Sequence, residues 1–264
     1  MKQLPNIFTL LNLFFGCLAI VCVLQTGLEP IYKQTEAGYI VADIDTFGKQ
    51  YITIPPQIFM ASLFIAIAAV VDFFDGFVAR LLKASSELGK QLDSLADVVS
   101  FGVAPGMIVY EFLRLSFAQQ QDGLDTNILW LLPAFILPCA GAYRLARFNI
   151  DTSQSYGFKG VPIPAAGLLI ASFPLIFWSN VGSVNLLLIN QWFWYAVIAV
   201  VSYLMVSTLP MMALKFKNPS LKTLLPFIIL AVIAITCAFF VNWLSVPITF
   251  VAYVILSLFY KNKS

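Results

Sequence analysis

Runs of about twenty mostly apolar residues recur along this 264-residue chain, and that is the length a helix needs to cross the ~30 Å hydrocarbon core of a bilayer. Read at that length, the chain offers about eight such segments: 5–25, 57–83, 91–114, 128–147, 162–180, 191–213, 223–241 and 245–260. Composition agrees. AVILMFWYC make up 60% of the residues and DEKR only 11%, against roughly 45–50% and 25% in soluble domains, which excludes a water-soluble globule. One basic residue, Lys2, precedes the first segment, whose apolar stretch is too long for a signal peptide. No small-residue cleavage site follows it, so it is expected to remain as a permanent helix. The expectation is an all-α polytopic membrane protein forming one domain over residues 1–264, with a polar insert at about 26–56.

Basic residues set the expected orientation, because cytoplasmic loops retain Lys and Arg. Twelve of the fifteen fall on one side of the eight-segment reading: Lys2; Arg80, Lys83 and Lys90; Arg144, Arg147 and Lys159; Lys215, Lys217 and Lys222; Lys261 and Lys263. Only Lys33, Lys49 and Arg114 fall on the other. Both termini are therefore expected in the cytoplasm, the insert outside, and the protein in the cell (inner) membrane. A net charge of +2 gives no reason to expect nucleic acid. The absence of histidine excludes His-based triads, His metal sites and haem ligation. The four cysteines lie inside apolar runs and read as small buried hydrophobes rather than disulfide or zinc partners.

Against this background four carboxylates stand out. Asp72 and Asp75 come late in the second segment, Asp93 and Asp97 early in the third. A charge at membrane depth costs at least ~2.5–3.5 kcal/mol on insertion scales, so four of them require a compensating partner. Spacings of three and four put each pair on one helix face. The second segment runs toward the cytoplasm and the third runs back, so both pairs reach similar depth in the cytoplasmic half. The active site is thus expected between helices two and three at the cytoplasmic side. Oxygen ligands without His or Cys select Mg²⁺, Mn²⁺ or Ca²⁺, and two divalent ions would balance four carboxylates in the arrangement that clamps a phosphoryl group. Gly76, Ala79 and Gly89 keep bulk away from the acids, leaving room for a nucleotide against the backbone. Arg80, one turn past Gly76, can reach a phosphate.

The run Asp72-x2-Asp75-Gly76-x2-Ala79-Arg80-x8-Gly89-x3-Asp93-x3-Asp97 resembles, with no departure, the signature of the CDP-alcohol phosphotransferase family. Three further stretches look like its phosphatidylserine synthase branch: Leu4 to Asn12, Gly141 to Asn149, and Phe158 to Ala166. The resemblance implies transfer of a phosphatidyl group from CDP-diacylglycerol to the hydroxyl of L-serine, releasing CMP, with two divalent cations, Mg²⁺ or Mn²⁺, as cofactors. It makes Asp72, Asp75, Asp93 and Asp97 the metal ligands. Asp97 is the chosen proton acceptor, with Asp93 the alternative. Asn6, Thr9, Gly76, Ala79, Arg80 and Gly89 are expected on CDP-diacylglycerol. Serine is a zwitterion, so its carboxylate is expected to meet Arg144 and Arg147 at the end of the fourth segment, with Asn149 just beyond and Lys159 in the following loop.

Two other readings compete. A sibling enzyme acting on glycerol 3-phosphate or inositol phosphate would share the whole signature. A cation-coupled transporter would place carboxylates at midplane, but here the acids fall in one half of the chain. Membrane lipid is the expected surrounding, and a homodimer is left open.

Overall fold

The computed structural model describes residues 4–25, 32–35, 38–41, 57–82, 86–118, 126–151, 158–179, 184–212 and 221–259. They are predominantly helical. Helix α1 (Leu4–Leu24) is followed by a two-stranded antiparallel pair, β1 (Tyr32–Thr35) and β2 (Gly38–Val41), and then by α2 (Gln57–Leu81). Apart from that pair, the insert expected at about 26–56 lies outside the described residues. Next come α3 (Glu87–Asp97), a π-helical segment (Val98–Val103) and α4 (Ala104–Ala118), which together form one continuous 32-residue helical stretch. Two 3₁₀ turns lead into α5 (Ile136–Ile150). Then follow β3 (Phe158–Lys159), α6 (Ile163–Trp178), α7 (Val184–Leu188), α8 (Gln191–Val206), β4 (Pro210–Met211), α9 (Leu221–Val241) and α10 (Ser245–Phe259).

Among the described residues, five stretches are long and apolar enough to cross a membrane: Pro5–Leu24, Gln57–Ala79, Glu87–Ala118, Ile128–Ile150 and Leu224–Phe259. The last holds both α9 and α10, separated by a 3₁₀ turn in which Asn242 takes a φ of 49°. Helices α6 and α8 are apolar but have 16 residues each. The sixth expected segment, 191–213, is corrected here. Pro210 has no N–H to continue the helix, so α8 stops at Val206 and residues 210–211 pair as a strand with 158–159. Large apolar side chains cover the outside, with Phe239, Phe240, Ile150 and Phe259 each at least 80% exposed. That surface suits hydrocarbon and would be an aggregation liability in water. The four cysteines are free, but the expectation that they are buried is corrected: Cys17 and Cys139 are exposed, and Cys22 and Cys237 are half-buried.

The deepest packing centres on Trp194 of α8, which is fully buried. Its ring stacks on Phe112 of α4 at 4.8 Å and meets Phe173 of α6 edge-on at 5.2 Å. Its Nε1 donates to the carbonyl of Leu188 at 2.7 Å, which satisfies the one polar atom of the ring. Small residues let the remaining helices approach. A Cβ on Gly16 of α1 would lie 2.8 Å from the Cα of Ser100, and one on Gly167 of α6 would lie 2.9 Å from the backbone of Phe101. The π-helical segment is therefore gripped from two sides by glycine contacts.

The C-terminus of α8 is closed by groups from elsewhere in the chain. Arg147 of α5 donates to the carbonyls of Val206 (2.6 Å) and Ser207 (2.8 Å), and at longer range to Lys159 (3.4 Å). Val161 N donates to Leu204 O at 3.0 Å. A cation on orphan carbonyls at a helix C-terminus satisfies both hydrogen bonding and the helix dipole. Gly160 makes this closure sterically feasible. It has a φ of 78°, and a Cβ there would sit 2.8 Å from the carbonyl of Ser207 and 3.0 Å from that of Leu204. Gly160→Ala is expected to cost about 1–3 kcal/mol and to lower the melting temperature by several degrees. A thermal melt in detergent that matches wild type would show that the turn relaxes at no cost.

Candidate active site

Helices α2 and α3 deliver the acids. In α2 the three-residue spacing sets Asp72 and Asp75 on one face, and α3 is started by Ser86, whose side chain accepts from Gly89 N at 3.0 Å. That N-cap fixes the first turn, after which four-residue steps carry Gly89, Asp93 and Asp97 along one stripe. Asp72, Asp93 and Asp97 each present a carboxylate oxygen within 4.8 Å of the others. Asp97 is buried, while Asp72 and Asp93 are half-buried. Asp75 is buried beside this trio and accepts a hydrogen bond from Thr9 Oγ1 of α1. Asp75 remains close enough to interact electrostatically with Asp72 and Asp93.

Helix α1 forms the third wall. Thr9 hydrogen-bonds Asp75, and Asn12 Nδ2 donates to Asp97 Oδ1 at 3.3 Å. Asn6 lies over Gly89, where a Cβ would come 3.1 Å from its Oδ1. Gly76 and Ala79 are half-buried on the same helix as the first acid pair. The side chain of Arg80 lies outside the described residues.

Of the four residues expected on serine, the structure brings Arg144 to the acids. It is buried, lies within electrostatic range of Asp97 and Tyr253, and has its guanidinium carbon 5.3 Å from the ring centre of Phe148. The other three make protein contacts nearby. Arg147 closes α8. Asn149 donates from Nδ2 to Ser94 Oγ at 2.8 Å, while its carbonyl accepts from Lys90 Nζ at 3.0 Å, tying the end of α5 to α3. Lys159 pairs with Asp151 at 2.8 Å.

Two features of this site went unrecognised in the sequence. One is Asn12, whose polar side chain follows Thr9 by three residues within an apolar helix, a signal that was present. The other is the π-helical turn directly after Asp97. Single π turns recur at functional sites, but Val98 to Val103 carry no composition that distinguishes them from α-helix.

The donor set is suited to a metal. Three oxygen-bearing groups of like charge converge in a partly buried cleft, and hard divalent cations such as Mg²⁺ or Mn²⁺ match such ligands. The cluster can therefore hold a metal ion.

Residues 2–201 match the CDP-alcohol phosphatidyltransferase family. The chain belongs to that family. The match covers every acid described above and ends inside α8, leaving α9 and α10 beyond it. Among relatives, a CDP-diacylglycerol–serine O-phosphatidyltransferase of Helicobacter pylori is 34% identical over 168 residues, 63% of this chain and 54% of the relative. Its counterpart in Bacillus subtilis is 41% identical over 119 residues, 44% of this chain and 62% of the relative. An archaetidylserine synthase of Methanothermobacter thermautotrophicus is 35% identical over 117 residues, 44% of this chain and 46% of the relative. The chain thus spans about half to three-fifths of the length of these three relatives.

Proposed function

We propose that this protein transfers a phosphatidyl group from CDP-diacylglycerol to the hydroxyl of L-serine, giving phosphatidylserine and CMP. The observation that carries this reading is the convergence of Asp72, Asp93 and Asp97 from two neighbouring helices, with the buried Arg144 beside Asp97. The similarity to serine-using relatives supports the acceptor. In this reading the chain is one membrane domain of about eight spans in the inner membrane, with both termini cytoplasmic and the site at the cytoplasmic end of α2 and α3.

Asp72, Asp75, Asp93 and Asp97 would hold two divalent cations, Mg²⁺ or Mn²⁺. When bound, these would neutralise the pyrophosphate and the charge that develops on the departing CMP. The small faces of Gly76, Ala79 and Gly89 leave volume for the nucleotide. Asn6 and Thr9 border the same volume, and with Arg80 of the signature run they are assigned to the pyrophosphate. Acyl chains remain in the bilayer, so the donor enters sideways. Arg144 binds the serine carboxylate and directs the hydroxyl toward the acids. Asn149 and Lys159 stand further out and, with Arg147, hold α5 in place for that contact. Asp97, or Asp93 in its stead, takes the hydroxyl proton as the serine oxygen attacks the phosphorus nearest diacylglycerol. The phosphorus–oxygen bond to CMP breaks in the same displacement, so no protein nucleophile is needed.

The test is direct. Purified protein with CDP-diacylglycerol, Mn²⁺ and a panel of serine, glycerol 3-phosphate and inositol phosphate is expected to release CMP and form phosphatidylserine alone. A different lipid product would reassign the acceptor, and no CMP release with any acceptor would overturn the reading. An ether-linked CDP donor included in parallel shows whether the glycerol linkage is discriminated.

A further inference from the structure

The acids are held by more than their own helices. Asn12 of α1 is fully buried. Its Nδ2 donates to Asp97 Oδ1 at 3.3 Å, and its backbone carbonyl accepts from Ser100 Oγ at 3.0 Å. One turn further along α1, Gly16 presses against the backbone of the same Ser100. Helix α1 is therefore keyed at successive turns to Ser100, inside the π-helical segment that immediately follows Asp97. The other end of the Asn12 amide is not satisfied: Oδ1 is buried and has no hydrogen-bond partner among the described residues. Turning the amide over would set Oδ1 against the carboxylate, so Asp97 dictates the orientation seen.

A buried carbonyl oxygen without a partner is costly, and the large majority of buried side-chain polar atoms have one. Asn12 lacks that pairing on the side away from Asp97. We infer that Asn12 is a positioning residue for Asp97. It holds one carboxylate oxygen so that the other stays turned to the cluster with Asp72 and Asp93, and it does so at the expense of stability. The inference rests on the proposal that these acids bind a divalent cation, and it extends that proposal to α1, which carries none of the ligands. Groups that orient a metal ligand typically affect affinity or activity by 10–100-fold.

The experiment compares wild type with Asn12→Ala, using Mn²⁺ as the probe in thermal melts in detergent and a CMP-release assay with CDP-diacylglycerol and serine. The expected result for Asn12→Ala is an unchanged or higher melting temperature without metal. The Mn²⁺ concentration for half-maximal stabilisation should rise about 10–100-fold, with a comparable loss of turnover. Asn12→Asp, which keeps size and shape but loses the donor, guards against a packing artefact and is expected to lose turnover too. A metal-free melting temperature that falls in Asn12→Ala, with the Mn²⁺ midpoint unmoved, would make Asn12 merely structural and overturn the inference. Near-normal turnover by Asn12→Asp would overturn it as well. A wild type whose melting ignores Mn²⁺ would instead remove the metal reading on which the inference stands.

Discussion

Changing Asp72, Asp93 or Asp97 to Asn, one at a time, is expected to reduce turnover about a hundredfold or more, which corresponds to at least ~2.7 kcal/mol of lost transition-state stabilisation. The substitution is isosteric, so packing is preserved. What changes is charge: each replacement removes one of three carboxylates whose oxygens lie within 4.8 Å of one another. In the metal-free protein that relieves like-charge repulsion, so these variants should melt no lower than wild type without metal while losing the stabilisation that Mn²⁺ or Mg²⁺ gives. Chelation should silence wild type, and either ion should restore it. A variant that keeps near-normal activity at limiting metal removes that residue from the site, and activity that survives exhaustive chelation defeats the metal mechanism. Asp75 belongs in the same series because its carboxylate is already engaged by Thr9. A loss equal to the others would place it among the ligands despite that contact.

The acid pairs were legible in the sequence because helical spacing and the cost of charge in lipid are both local arguments. Asp72 and Asp75 share a face by a separation of three, Asp93 and Asp97 by four, and the structure brings three of the four together. Membrane character was legible for the same reason, since apolar length can be read without tertiary contacts. What failed were features set by tertiary contact. Pro210 is a local signal for the end of α8, but that Arg147 and Val161, distant in sequence, take over its last carbonyls is not legible there. Arg147 reads in sequence as a basic residue at a cytoplasmic helix end, and nothing local shows that its guanidinium points at backbone carbonyls rather than into the acid cleft. The partnership of Asn12 with Asp97 spans 85 residues, a pairing that no periodicity within one helix reveals.

That difference between Arg144 and Arg147 yields the second large effect. Both lie in the last two turns of α5, three residues apart, and by spacing alone either suits a serine carboxylate. Arg147 donates to the carbonyls of Val206, Lys159 and Ser207, whereas Arg144 is buried within electrostatic range of Asp97. Loss of Arg144 removes a charge-assisted contact to the acceptor worth ~1.5–3 kcal/mol, and in Arg144→Ala the KM for serine should rise about 10- to 100-fold while that for CDP-diacylglycerol changes little. Arg144→Lys keeps the charge but not the planar fork, so it should recover only part of the loss. Arg147→Ala should act differently, lowering the melting temperature through the freed end of α8 and affecting both substrates alike. Steady-state kinetics on the three variants, each with a thermal melt, separate the roles. If Arg144→Ala weakens both substrates equally, its charge serves to balance the acids, and recognition of serine must be assigned to other side chains.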